Sequence, residues 1–418
     1  MTYLFTSESV SEGHPDKISD QISDSILDHF LAFDPNSKIA IETLVTTGQI
    51  IISGEVKSNA WININDISRN IVRKIGYSKN EYKFNADSCG IFTSIKEQSQ
   101  DLLKGIIKDS IEQTGAGDQG IVFGYAVKET DNYMPIELEI ANNLLKELAT
   151  IRKEGVEMTY LRPDSKSQIT LEHSSNYPYK PIHVHSVVIS TQHNEFDTKE
   201  KMNNCLIKDI INILMPRFKK KYCSKNLRKL FTNKTRYYIN SIGKFVIGGP
   251  NGDTGLTGRK IIVDTYGSRA RHGGGAFSGK DPSKMDRSGA YEARHIAKNI
   301  VASGIANELL IQISYVAGIS EPISIFVDTC GTSKVSNEFI TKNIKENFDL
   351  RPYAIEKRLK LREPIYEETS AYGHMGKNPK KINKFFIDMK KRTIKKEVEL
   401  FTWEKLDYLN IIKDIFNI

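Results

Sequence analysis

The segment PDKISDQISDSILDHFLAFDP, residues 15–35, decides how the chain is read. Ile18, Ile22, Ile26 with Leu27, then Phe30 and Leu31 recur at helical spacing, with Asp and Ser residues on the other face. That pattern predicts a helix over 15–31, and Asp34-Pro35 closes it. Gly13-His14-Pro15-Asp16 therefore falls at a helix N-terminus. Working outward, 38–45 and 49–56 read as strands joined through Thr47-Gly48 in a hairpin, and 66–75 returns to helical spacing. The alternation recurs after Gly120, with strands at 121–126, 167–171 and 182–190 and helices at 138–153 and 198–214. It appears again after Arg236, with strands at 260–265 and 311–317 around a helix at 288–303. Three α/β units of comparable size follow, without detectable sequence identity between them.

Composition narrows the function. At 418 residues, 39% hydrophobic and 26% charged, the chain has globular composition and enough apolar content for several cores. A net charge of +8 favours polyanionic partners without choosing among nucleotides, nucleic acid and acidic membranes. Apolar runs such as 49–56 and 311–319 fall short of the roughly 20 residues of a membrane-spanning helix, so no membrane association is expected. Residues 1–10 carry no basic stretch followed by an apolar one, and no secretory signal is read there. Cys89, Cys205, Cys223 and Cys330 lack C-x-x-C spacing, which argues against a zinc site or a disulfide framework and points to a reducing, cytoplasmic compartment. Two lysine-dense stretches, 217–236 and 377–396, read as solvated surface elements ahead of RNA-binding arms.

The chemistry is concentrated in two glycine tracts, 248–260 and 269–284, which interleave Gly with Arg259, Lys260, Arg269, Arg271, Lys280 and Lys284. Glycines let backbone N–H groups approach an anion closely, and the cations add full charges, so the pair reads as a polyphosphate cradle. Gly274 to Lys280 fits G-x-x-x-x-G-K, but Asp281 follows where a P-loop needs a hydroxyl for magnesium. Neither tract holds the G-x-G-x-x-G dinucleotide fingerprint. Carboxylates in short polar or Gly-rich contexts (Asp16, Glu42, Glu55, Asp118, Asp253, Asp286) suit magnesium beside phosphates. His183 and His185 are a weak start to a metal site, and no G-x-S-x-G elbow supports acyl-enzyme chemistry.

These residues also carry a resemblance. FTSESVSEGHPDK (5–17), GAGDQG (115–120), LRPDSKSQ (161–168), 252–266 and 273–284 are similar to the motifs of the methionine adenosyltransferases, or S-adenosylmethionine synthetases, along nearly the whole chain. The resemblance implies an α/β fold of three similar domains of repeated β-α-β units around a pseudo-threefold axis, with boundaries expected at 3–101, 113–236 and 237–405. It implies a homodimer with active sites shared between subunits, often paired into a tetramer. No aromatic-stacking module accompanies the lysine-dense stretches, so no specific nucleic-acid partner is expected. The implied reaction joins ATP and L-methionine: sulfur attacks C5′, and the displaced tripolyphosphate is then hydrolysed to phosphate and diphosphate.

Carried over by position, His14, Lys166, Arg259 and Lys280 are the expected catalytic residues. ATP binding adds Asp164, Lys244, Phe245, Asp253, Lys260 and Ala276. Methionine binding falls to Glu55, Gln98, Asp118, Asp253 and Lys284. Asp16 and Asp286 would hold magnesium, two ions per active site, and Glu42 one potassium ion per subunit. Lys244 stands where the family usually has arginine, weakening a bidentate contact. Gln100 replaces a usual proline at the entrance to the family's gating loop.

Overall fold

The computed structural model describes residues 1–97, 110–175 and 180–416. Each unit begins with one strand, continues into a 19-residue helix and closes with a hairpin. The first has β1 (Thr2–Val10), the Pro15–Phe33 helix, β2 (Lys38–Thr46) and β3 (Gln49–Lys57), with β4 (Gly90–Lys96) added. The second has β5 (Gly120–Val127), the Ile136–Glu154 helix, β6 (Leu161–Ser174) and β7 (Pro181–His193), with β8 (Arg236–Ile239) added. The third has β9 (Gly255–Leu256), the Met285–Ser303 helix, β10 (Glu308–Tyr315) and β11 (Ser324–Asp328).

The opening strand of each unit leaves its own hairpin. β1 lies antiparallel to β6, β5 to β10 and β9 to β2, so the sheets run β1-β6-β7-β8, β11-β10-β5 and β4-β3-β2-β9. The first unit lends a strand to the second, the second to the third and the third to the first. This closed exchange relates the units as a threefold rotation would. Each long helix packs on the sheet that contains the borrowed strand. One apolar core joins the first and third units and another lies under the second.

Strand alternation decides what each sheet leaves outside. In β2, Ile39, Ile41, Thr43 and Val45 are buried toward the helix, while Glu42 and Leu44 alternate outward. Leu44 pairs with Ile51 and Ile51 with Phe92, which is 57% exposed, so an apolar row crosses this outward face. Ile121 and Phe326 on the third sheet, and Leu4 and Ile182 on the second, are exposed likewise.

Several sequence readings need correction. Residues 260–265, read as a strand, form a helical turn at Ile261–Asp264, because the Asp264 carboxylate turns inward to the buried Lys17 ammonium. The helix expected to end at 214 passes from Lys199–Asp209 through a wide turn, Ile210–Leu214, into Met215–Tyr222. The wide turn absorbs Pro216, which has no N–H and crowds the preceding turn. The 377–396 stretch is largely a hairpin of β12 (Lys380–Ile387) and β13 (Thr393–Leu400). Lys384 in it is no surface charge: it is buried, with Nζ 2.6 Å from Asp28 and 2.7 Å from Glu368. Among the described residues no helix is long and apolar enough to cross a membrane. The four cysteines are unpaired.

Candidate active site

The Pro15–Phe33 helix is buried on both sides. Its apolar stripe faces the first sheet, and its second stripe is acidic. Asp16, Asp20, Asp24 and Asp28 follow one another at one helical turn, and each accepts a backbone N–H from the third unit. Asp16 takes Leu256 at 3.0 Å, Asp20 takes Gly258 at 2.9 Å, and Asp24 takes Gly279 at 2.8 Å. Asp28 takes Tyr366 and Glu367, each at 2.9 Å.

The two glycine tracts lie end to end along one edge of β2. The first pairs Leu256 with Leu44, and Thr257 N–H donates to Thr43 O at 3.0 Å. The second takes over further along: Ile41 N–H donates to Gly279 O at 3.0 Å and Asp281 N–H to Ile39 O at 3.1 Å. Gly258 and Gly279 both have φ +80°, a left-handed conformation that favours glycine. A Cβ on Gly258 would lie 2.5 Å from that of Ala276, so the tracts also touch there. Arg259-Lys260 and Lys280 directly follow these two glycines.

The first group of candidate side chains surrounds the N-terminus of the Pro15–Phe33 helix. His14 is the N-cap, its Nδ1 accepting the Asp16 N–H at 3.2 Å. Lys260 Nζ is 2.5 Å from Asp16 Oδ2, and Arg259 is 3.7 Å from Oδ1. Burial disfavours the Asp16 charge, yet Lys260 and the Leu256 N–H hold its carboxyl below the usual range. Burial, followed by the Lys260 charge, pushes the His14 imidazole down to about 3, so it is neutral near pH 7.

That shift has a measurable consequence. Unfolded His14 takes up a proton near pH 6.5 while folded His14 refuses it until about 3, so stability present above 6.5 is lost progressively as pH falls between those values. The buried His374 imidazole, lowered by burial and Lys17, adds to the same slope. The thermal midpoint is expected to fall from pH 7 to 5, less steeply in His14→Asn. Equal slopes would contradict the assignment.

The second group sits where the second tract enters the Met285–Ser303 helix. Lys280 Nζ is 2.6 Å from Asp286 Oδ2, and Lys284, the helix N-cap residue, donates to the buried Asp281 carboxylate. Gly275 is packed so closely that a Cβ there would lie 2.3 Å from the Asp286 carboxyl. Both groups thus stand at N-termini of long helices, where backbone N–H groups and the helix dipole favour anions. Among the described residues, no hydrogen bond or ion pair links His14, Asp16, Arg259 or Lys260 to Lys280, Lys284 or Asp286.

The remaining candidates distribute between these groups. Asp164 accepts the Gly249 N–H at 2.8 Å through Oδ2, while its buried Oδ1 has no hydrogen-bond partner among the described residues. Burial raises this carboxyl to about 6. Phe245 and His193 are clasped reciprocally, Phe245 N–H to His193 Nε2 at 3.1 Å and His193 N–H to Phe245 O at 3.0 Å. Lys244 is 2.6 Å from Glu195, with both side chains at least half exposed. Lys166 lies outward on the second sheet, paired with Val10 and Ser190. Glu42 and Glu55 share the outward face of the first sheet, opposite Ser53 and Ala40 respectively. Asp118 and Asp253 are exposed in loops. Gln98, with Gln100, lies outside the described residues. His183 pairs with Glu172 at 3.0 Å.

Among the described residues no three of His, Cys, Asp and Glu gather into a metal cage. Asp16 and Asp286 instead present single carboxylates, each beside a lysine. Such donors fit magnesium, which binds through one or two carboxylates and completes its shell with water and phosphate oxygens.

Sequence reasoning missed the residues that hold these groups up. Lys17 is fully buried between Asp20, at 2.9 Å, and Asp264. Arg287 clasps Asp24 at 2.6 and 2.9 Å, and Tyr77 OH donates to Gly13 O at 2.7 Å. The four-residue spacing of the aspartates was the available signal.

Three family models account for the chain in succession. The S-adenosylmethionine synthetase N-terminal domain matches residues 2–100, the central domain 113–245 and the C-terminal domain 247–385. The S-adenosylmethionine synthase of Cytophaga hutchinsonii is 58% identical over 422 residues, covering 100% of both chains. Those of Flavobacterium johnsoniae and Christiangramia forsetii are 57% and 58% identical, again over 100% of each chain. Matched end to end, with its glycine tracts paired on one strand edge, the chain belongs to the S-adenosylmethionine synthetase family.

Proposed function

We propose that this protein is a methionine adenosyltransferase, forming S-adenosylmethionine from ATP and L-methionine and then hydrolysing the tripolyphosphate. The observation that carries the mechanism is the end-to-end docking of two cation-bearing glycine tracts on β2, each beside a long-helix N-terminus. A thioether sulfur has no proton to lose, so its attack on C5′ needs no general base. The demand is in-line positioning and neutralisation of charge on the departing triphosphate. Arg259, Lys260, Lys280 and Lys166 supply that charge.

His14 contributes as a neutral donor. With Nδ1 occupied by the Asp16 N–H, its proton resides on Nε2, free to donate to the leaving oxygen beside C5′. Phe245 and Lys244 are assigned to the adenine end, with Asp164, Asp253 and Ala276 completing the ATP site. Glu55, Gln98, Asp118, Asp253 and Lys284 are assigned to methionine, carboxylates meeting its ammonium and Lys284 its carboxylate. Asp16 and Asp286 would hold two magnesium ions, and Glu42 a potassium ion; these supply further neutralisation of phosphate charge.

The working unit in this reading is a homodimer, and two dimers pair into a tetramer. The exposed rows through Leu44, Ile51 and Phe92, and through Ile121 and Phe326, are apolar sheet faces suited to a second copy. Burying them would join the first group of one chain to the second group of the other. Purified protein given ATP, methionine, magnesium and potassium is expected to yield S-adenosylmethionine. Phosphate release that proceeds equally without methionine, and no sulfonium product, would count against the proposal.

A further inference from the structure

We infer that Asp20 and Asp24 are positioning residues for the phosphate-binding cations: each pins the left-handed glycine immediately before one of them. The inference rests on the reading of Arg259, Lys260 and Lys280 as polyphosphate ligands, and it concerns residues that touch no substrate. Asp20 Oδ1 accepts the Gly258 N–H at 2.9 Å, and Arg259-Lys260 follows. Asp24 Oδ1 accepts the Gly279 N–H at 2.8 Å, and Lys280 follows.

Both acceptors are themselves held from behind. Asp20 Oδ2 is 2.9 Å from Lys17 Nζ, and Lys17 also meets Asp264. Asp24 is gripped by both terminal nitrogens of Arg287, whose Nη1 further donates to Phe277 O at 3.1 Å and Lys280 O at 3.3 Å. The Arg287 guanidinium stacks over the Tyr366 ring at 4.1 Å. Asp20, Asp24, Lys17 and Arg287 are all at most 1% exposed.

The two glycines have little other freedom. A Cβ on Gly279 would lie 1.9 Å from Ile41 O, so the second tract is seated against β2 at this point. One rigid helix thereby seats both the glycine before Arg259-Lys260 and the glycine before Lys280, because its aspartates occupy successive turns. A cation used against charge that develops only during reaction loses rate steeply when misplaced, on the order of a hundredfold for about 1 Å.

Asp28 provides the internal control. It belongs to the same stripe, is equally buried, and meets backbone N–H groups and a lysine, but Glu367 and Lys384, which it holds, lie outside both groups, and Tyr366 meets Arg287 through its ring rather than through the N–H that Asp28 accepts. Asp20→Ala and Asp24→Ala, which remove the acceptor, are expected to lower kcat about a hundredfold per folded molecule, with the methionine KM within about threefold of wild type. Asp28→Ala is expected to lower the thermal midpoint while leaving kcat per folded molecule unchanged. Loss of kcat in all three in proportion to lost stability would overturn the inference.

Wild-type protein supplies a readout independent of whether the variants fold. The Gly258 and Gly279 amides are expected to exchange with solvent as slowly as those of the Pro15–Phe33 helix interior. Exchange at the rate of exposed loops would overturn the pinning directly. If instead the amides are protected but Lys260→Met and Lys280→Met keep full activity, the assignment of those lysines to polyphosphate is what fails.

Discussion

Lys280→Met is expected to lower kcat between about a hundredfold and a thousandfold without unfolding the protein. The Lys280–Asp286 pair is about 28–29% exposed on each side, so solvent already screens it and its loss costs roughly 1 kcal/mol of stability or less. The same substitution at Lys260 is less clean, because it would leave Asp16, only 3% exposed at its side chain, without its nearest cation. Lys280 therefore separates chemistry from folding better. In the proposed role its charge is needed most as the triphosphate departs, so kcat and kcat/KM should fall together. Steady-state formation of S-adenosylmethionine measures both, and a kcat within threefold of wild type would contradict the role.

Mixing two inactive variants should restore activity. In a dimer whose sites draw the His14 group from one chain and the Lys280 group from the other, a mixed dimer of His14→Asn and Lys280→Met has one site with both changes and one with neither. Random exchange makes half the dimers mixed, so about a quarter of wild-type activity returns. The structural motive is the lack of any hydrogen bond or ion pair between the two groups among the described residues, together with the apolar outward faces. Activity after subunit exchange that stays at the level of either parent would place each site within one chain.

The local elements were legible where periodicity was strong. The first helix and the hairpin through Thr47-Gly48 follow from repeating isoleucines and one turn, and they are observed at 15–33, 38–46 and 49–57. What local pattern does not encode is which sheet a strand joins: β1 and β5 look like any amphipathic strand, and their placement in the next unit's sheet depends on long-range pairing. The turn at Ile261–Asp264 was misread for the same reason, since the Lys17 partner of Asp264 lies 247 residues away in the chain. In the site, charged residues near glycines were visible individually. Their grouping was not, and the acidic stripe that holds them read as an ordinary polar helix face until both faces of that helix were found buried. The lysines of 377–396 divide similarly, Lys384 buried by a carboxylate pair that composition could not reveal.

The most direct test is a crystal structure of the protein with a non-hydrolysable ATP analogue, methionine and magnesium. The account predicts the triphosphate oxygens within hydrogen-bonding distance of Arg259 and Lys260 of one chain and of Lys280 of a second copy, with the methionine sulfur in line with C5′. A triphosphate found instead in the cleft of about 770 Å3 lined by Lys146, Lys377 and Lys380 would contradict it.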